Sequence, residues 1–164
     1  MKRILIIGSP GSGKSTLAVQ LSKQLDLPVV HLDKLNWKGD KNTLNSIEFD
    51  KVLEKVLKQD KWIIDGNYGR TLRKRIEHAD TIIWLDLPRL ICVYRICKRY
   101  IKGKITKSKA YGNPIQLEPD FLSFVWNFNR TNRPDILNIL NENGHKEIII
   151  LKNQTEIEEV KKQF

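Results

Sequence analysis

Apolar positions along the chain change their spacing several times, and each change marks a predicted element. Ile4, Leu5, Ile6 and Ile7 form an unbroken branched run, the pattern of a strand covered on both faces. Leu17, Ala18, Leu21 and Leu25 then recur at helical spacing. Residues 27–33 read as a short second strand closed by Asp33, with a loop over 34–43. Asn45 with Glu48 three residues on predicts a helix cap, and Phe49, Val52, Leu53, Val56 and Leu57 supply the stripe behind it. Residues 62–65 and 81–86 read as strands, each ending in an acid, and Pro88 suits the first turn of the next helix. For that helix the spacing predicts a buried stripe of Leu90, Val93, Tyr94, Cys97 and Ile101, with Arg95, Arg99 and Lys102 on another face. Residues 103–119 have no clear period and hold two prolines and two glycines, which predicts a mobile loop or small lid. Phe121, Phe124, Val125 and Phe128 restore a helix, and Pro134 predicts a break at Arg133 before Ile136 to Leu140 resume. Residues 147–151 form a fifth strand, and Thr155 with Glu158 is expected to cap a last helix carrying Ile157, Val160 and Phe164.

Strands alternating with helices predict an α/β domain with a parallel sheet covered on both faces and ligands at the carboxyl ends of the strands. At that end of the first strand stands Gly8-Ser9-Pro10-Gly11-Ser12-Gly13-Lys14-Ser15, followed by Thr16, a fit to the phosphate-loop pattern G-x-x-x-x-G-K-[ST] in its strand-to-helix context. The chemistry follows from the residue types. Glycines let successive amides converge on phosphate oxygens, the helix start adds its positive dipole end, Lys14 reaches the outer phosphates, and Ser15 ligates Mg²⁺. Asp33, Asp65 and Asp86 close three strands at the same edge, so each could hold the metal directly or through water, or else cap the next element. Asp65 is the first choice.

Composition narrows the setting. At 164 residues with no long apolar run, the chain suits one domain of residues 1–164 with neither an export signal nor a membrane span, hence a cytoplasmic protein. Cys92 and Cys97 match no zinc spacing and read as buried packing residues, and His31 and His78 as ordinary polar ones. The formal charge of +10 points to anionic partners, and it is uneven: Arg89, Arg95, Lys98, Arg99, Lys102, Lys104, Lys107 and Lys109 follow one another with no acid between. Nucleotides, phosphorylated metabolites, RNA and DNA all fit that block, although no nucleic-acid-binding fold motif is visible.

These residues resemble the nucleoside-monophosphate kinases and, more closely, the adenylate-kinase-related DNA topology modulation (FlaR-type) proteins. The closer resemblance rests on Gly8 to Thr16, His31-Leu-Asp-Lys-Leu35, Trp62-Ile-Ile-Asp-Gly-Asn-Tyr68 with Arg70, Leu85-Asp-Leu-Pro88, and Trp126 through Pro134. It implies an adenylate-kinase-like P-loop NTPase sandwich with strand order 2-3-1-4-5 and a lid over roughly residues 102–120. By the same resemblance, Asp65-Gly66 opens the acceptor loop, Arg70 grips a phosphate, Arg95 and Arg99 precede the lid, and Arg130 and Arg133 follow it. Converging guanidiniums of that kind stabilise charge spread over a transferring phosphoryl group. The chain departs from the kinases in two places. Its acceptor loop is one residue longer, and no arginine follows Asp33 where those enzymes hold the monophosphate, which fits an acceptor other than AMP. The expected activity is transfer of the ATP γ-phosphoryl group, with Mg²⁺, to a small acceptor such as a nucleotide. In that scheme Lys14, Arg95, Arg99, Arg130 and Arg133 are catalytic, while Asp33, Asp65, Gly66 and Arg70 meet the acceptor. The alternatives are a nucleic-acid-associated ATPase affecting DNA topology, and a kinase for a nucleic-acid 5′ end or a non-nucleotide metabolite.

Overall fold

The run Ile4–Ile7 does lie at the centre of a sheet. In a computed structural model, which describes residues 2–36, 43–106 and 117–164, β1 (Arg3–Gly8) pairs in parallel with β3 (Trp62–Asp65) on one side and β4 (Thr81–Leu85) on the other. The edge strands are β2 (Val29–His31), beside β3, and β5 (Glu147–Leu151), beside β4. The order is β2-β3-β1-β4-β5. Alternate side chains of β1 enter opposite cores. Leu5 and Ile7 pack with Phe49 and Leu53 of α3 (Ser46–Leu57), Ile76 of α4 (Leu72–His78) and Ile136 of α7 (Arg133–Glu142). Ile4 and Ile6 face Leu17 and Leu21 of α1 (Lys14–Leu25), Cys92 of α5 (Arg89–Thr106), Val125 of α6 (Pro119–Thr131) and Ile157 of α8 (Gln154–Gln163). The result is a three-layer α/β sandwich. Among the described residues no helix is long and apolar enough to cross a membrane.

Several elements differ from the sequence expectation. The second strand stops at His31, and Leu32–Leu35 form a one-turn helix, α2, because Leu32 is drawn wholly into the core beneath Gly66. Asp33 therefore sits in a first helical turn and not at a strand end. Helix α4 was not predicted, since its seven residues carry only Leu72 and Ile76 as an apolar pair. In α5 the buried positions are Cys92 and Ile96, while Leu90, Tyr94 and Ile101 of the expected stripe are more than half exposed, and Cys97 is only partly buried. That phase follows from the phosphate loop, which leans on the α5 backbone at Cys92. Helix α5 also continues to Thr106, so the start of the predicted lid is helical, and residues 107–116 of it lie outside the described residues. The break after α6 falls at Asn132. Arg133 already belongs to α7, with Pro134 in the first turn, where a missing N–H has no intrahelical partner to lose. Asn153, accepting from the Glu156 amide at 2.9 Å, caps α8 in place of Thr155. Asn45 and Glu48 form the predicted reciprocal cap of α3.

Candidate functional site

The phosphate loop bridges β1 and α1, and its shape depends on residues without a side chain. Gly11 has φ +79°, and a Cβ there would stand 2.4 Å from the Cys92 carbonyl oxygen, so the loop and α5 touch backbone to backbone. Gly13, at φ +102°, precedes the first turn of α1 in a left-handed conformation that side chains rarely adopt. Ser9 and Ser12 are buried beneath the loop, joined by a Ser12 N–H to Ser9 carbonyl bond of 3.1 Å, while Pro10, Gly11, Gly13, Lys14, Ser15 and Thr16 face the cleft above it. Gly8 closes β1, and its N–H donates to Asn67 Oδ1 at 3.4 Å.

Two polar groups meet beside this loop. Lys14 Nζ donates to the Ser9 carbonyl at 2.9 Å. Burial holds the Lys14 pKa below the usual lysine value, while the Asp65 and Asp33 carboxylates oppose that shift. Ser15 Oγ donates to Asp65 Oδ2 at 2.5 Å, and His31 Nδ1 lies 2.6 Å from Asp65 Oδ1. Asp65, only 3% exposed, is thus fixed from both sides by partners on two different elements. His31, expected to be an ordinary polar residue, is one of those partners. Asp33 lines the same cleft from α2.

The arginines separate into groups. Arg95 reaches back to the loop, with Nη1 donating to the Ser12 carbonyl at 2.9 Å and Nη2 to Gln154 Oε1 at 2.6 Å, and Arg99 lines the cleft one turn further along α5. Arg133 binds Asp86, its Nε within 3.0 and 3.1 Å of the two carboxylate oxygens, and lies over the Trp84 ring. Asp86 is thereby tied to α7 and is not among the residues lining the cleft. Arg130 is exposed at the end of α6, off the cleft wall. Arg70 departs from its expected place: both its terminal nitrogens donate to Asp50 of α3, at 2.7 and 2.8 Å, which turns it away from the cleft. The paired charges hold the Arg70 guanidinium and Asp50 carboxyl in their ionised forms.

Sequence reasoning passed over Arg75. It is fully buried, donates to the carbonyls of Gly66 at 2.9 Å and Tyr68 at 2.6 Å, and so fixes the loop that follows β3. Burial lowers its pKa to about 10, which leaves it charged near neutrality. Its only sequence signal is its place between Leu72 and Ile76 on the apolar face of α4. Tyr68 stacks on Phe49 with ring centres 5.1 Å apart, and its phenol is pushed up to about 12, first by burial and then by the Asp33 charge. The cleft enclosed by these groups measures about 730 Å³, within the range of small-molecule sites.

No family profile matches the chain. It is 32% identical over 131 residues to an uncharacterised Bacillus subtilis protein, YqaC, covering 76% of this chain and 71% of that one. A Sulfurisphaera tokodaii cytidylate kinase is 32% identical over 131 residues, 70% of each chain. An Encephalitozoon cuniculi adenylate kinase is 30% identical over 121 residues, covering 59% of this chain and 66% of the kinase. Among solved structures, a shikimate kinase from Acinetobacter baumannii in complex with shikimate superposes with a TM-score of 0.66 at 13% identity, covering 99% of this chain and 90% of that one. A sugar kinase from a Janibacter species gives a TM-score of 0.56 at 16% identity, covering 99% and 91% of the two chains.

Proposed function

Since this chain belongs to the P-loop kinases, the superfamily of the adenylate and cytidylate kinases it matches, we propose that it transfers the γ-phosphoryl group of ATP to a small acceptor such as a nucleotide. The observation that carries the reading is the conjunction of a complete phosphate loop with the Ser15–Asp65 oxygen pair 2.5 Å apart at its edge. A hydroxyl and a carboxylate are the hard oxygen donors that suit Mg²⁺, so Ser15 and Asp65 would hold that ion. Bound there, Mg²⁺ supplies charge neutralisation for the outer phosphates. The chain's own groups do the rest. Loop amides and Lys14 bind the phosphates, and His31 keeps Asp65 oriented. Arg95 and Arg99 reach the cleft from α5, where they stabilise the charge of the group in flight. ADP release from Mg·ATP, measured across nucleoside monophosphates, sugars and oligonucleotides, tests the proposal. ATP that binds but yields no ADP with any of these would overturn it.

One observation favours a second reading, a nucleic-acid-associated ATPase affecting DNA topology. Helix α5 has no acidic residue, and Tyr94 stands 63% exposed on it beside Lys98, while Arg89 covers the exposed Trp126 ring at 4.2 Å. Basic groups interleaved with aromatic rings suit a phosphate backbone with stacked bases. Salt-dependent DNA binding by the full chain separates this reading from the first.

A further inference from the structure

A second hollow adjoins the cleft. It opens between α4 and α7, measures about 410 Å³, and shares Asn67, Gly69 and Asn132 with the lining of the phosphate-loop cleft. That volume lies within the range of small-molecule sites. Leu72 of α4, Phe128 of α6, and Ile136 and Ile139 of α7 are all buried and give the hollow an apolar floor. Its polar lining consists of the carboxamides of Asn67, Asn132 and Asn138 and the charged groups of Arg73, Asp135 and Glu142.

The charge of this hollow is opposite to that of the chain. The protein carries +10, and its main cleft presents Lys14, Arg95 and Arg99, whereas the hollow sets two carboxylates against one guanidinium. That guanidinium is occupied. Both terminal nitrogens of Arg73 donate to Glu142, and this pairing, with a smaller push from the Asp135 charge, raises the Arg73 pKa and keeps the group ionised. Cations close by on the same two helices are committed as well: Lys74 to Glu54, Arg75 to two backbone carbonyls, and Arg133 to Asp86. With Arg73 matched by Glu142, the surplus charge of the hollow is the Asp135 carboxylate, exposed on the first turn of α7. An anion is repelled from such a lining. A protonated amine fits it, because its three N–H donors suit a carboxylate flanked by carboxamide oxygens.

We infer that this hollow is a binding site for a small organic ammonium. Asp135 is its counter-ion, Asn132 and Asn138 supply further acceptor oxygens, and the floor of Phe128, Ile136 and Ile139 covers its apolar body. The occupant abuts Asn67, whose Oδ1 accepts from the Gly8 N–H where β1 enters the phosphate loop. Two sources supply this chemistry. One is an amine-bearing phosphoryl acceptor that extends into the hollow past Asn67 and Asn132, which rests on the kinase reading above. The other is a separate amine ligand, which does not.

The experiment is calorimetry of the full chain with four matched probes: phenethylamine, phenylalaninol, phenylethanol and phenylacetate. Both amines are expected to bind with a Kd of about 1 mM or tighter, and roughly ten-fold more tightly than the neutral and anionic probes. Asp135→Asn should weaken both amines by about ten-fold. Asn138→Trp, which fills the hollow from its exposed rim, should remove their binding, and Glu159→Gln, at an exposed acid of α8, should leave it unchanged. ADP release from Mg·ATP with phenylalaninol, lost in Asp135→Asn, assigns the ammonium to the acceptor. Binding of both amines with no ADP release from either assigns it to a separate ligand. Amines held no more tightly than phenylethanol, or equally well in Asp135→Asn and Asn138→Trp, overturn the site. So does a loss in Glu159→Gln as large as that in Asp135→Asn, since it marks diffuse attraction. These binding readouts stand apart from turnover, so failure of the kinase reading leaves them unchanged.

Discussion

Arg75 shows how a single side chain can carry a site it never touches. Its guanidinium supports the Gly66 and Tyr68 carbonyls from within the core. Replacing it with Leu takes the donor from the buried Gly66 carbonyl, while the Tyr68 carbonyl keeps the Thr71 N–H and hydroxyl, which should cost about 2 kcal/mol, read as a lower urea midpoint at unchanged slope. Lys14→Ala should abolish ATP binding in calorimetry and leave the circular dichroism unchanged, because among the described residues Lys14 donates to a loop carbonyl, that of Ser9, and ties no two elements together. Tyr68 gives a pH signature. Its folded pKa of about 12 lies above the ordinary 10.0, so the neutral phenol favours the fold. That contribution is fully present below the unfolded value and is lost as pH rises from 10 towards 12. Urea unfolding across that window should show stability falling in the parent and falling less in Tyr68→Phe. The places of Lys14 and Ser15 on the cleft were legible in the sequence because spacing alone defines them. Arg75 was not, because within Arg73-Lys74-Arg75 nothing local separates the buried cation from its exposed neighbours.

At the scale of elements, legibility followed the strength of the local code. Strands β1, β3, β4 and β5 and the α3 capping box were readable, since each is specified by neighbours in sequence. Asn45→Ala should accordingly cost about 1 kcal/mol in chemical denaturation. The phase of α5 was not readable. Its apolar residues nearly encircle the helix, and the choice of Cys92 and Ile96 as the buried pair is made by Gly11, which approaches from far away in the chain. Gly11→Val places carbon atoms against the Cys92 carbonyl and in a strained backbone region. It should both lower the thermal midpoint and remove ATP binding, whereas Lys14→Ala removes binding alone. Helix α2 was missed for a related reason: burial of Leu32 overrides the extended pattern of the residues before it.

For the molecule as a whole, the strand order follows from the P-loop resemblance and the alternating pattern, while the arrangement of charge follows only from the packed structure. Four arginines share one expected role in the sequence, yet two line the cleft, one holds Asp86 and one is exposed. Turnover should therefore fall by about 100-fold or more in Arg95→Ala and Arg99→Ala, with Lys98→Ala close to the parent. An even loss across Arg89, Lys98 and Arg99 in DNA affinity, each substitution flattening the salt slope by about one unit, would mark the nucleic-acid reading instead. The sheet that sets these charges in place has two unequal borders. β2 offers only three residues, but β5 presents Glu147-Ile148-Ile149-Ile150-Leu151, with Ile150 39% exposed. A border of that composition is a template for strand addition, with Glu147 and Lys152 as its flanking charges. On mild heating, association is expected to begin at β5 and not at the phosphate-binding end. Ile150→Lys should delay the rise in light scattering while leaving ATP affinity unchanged.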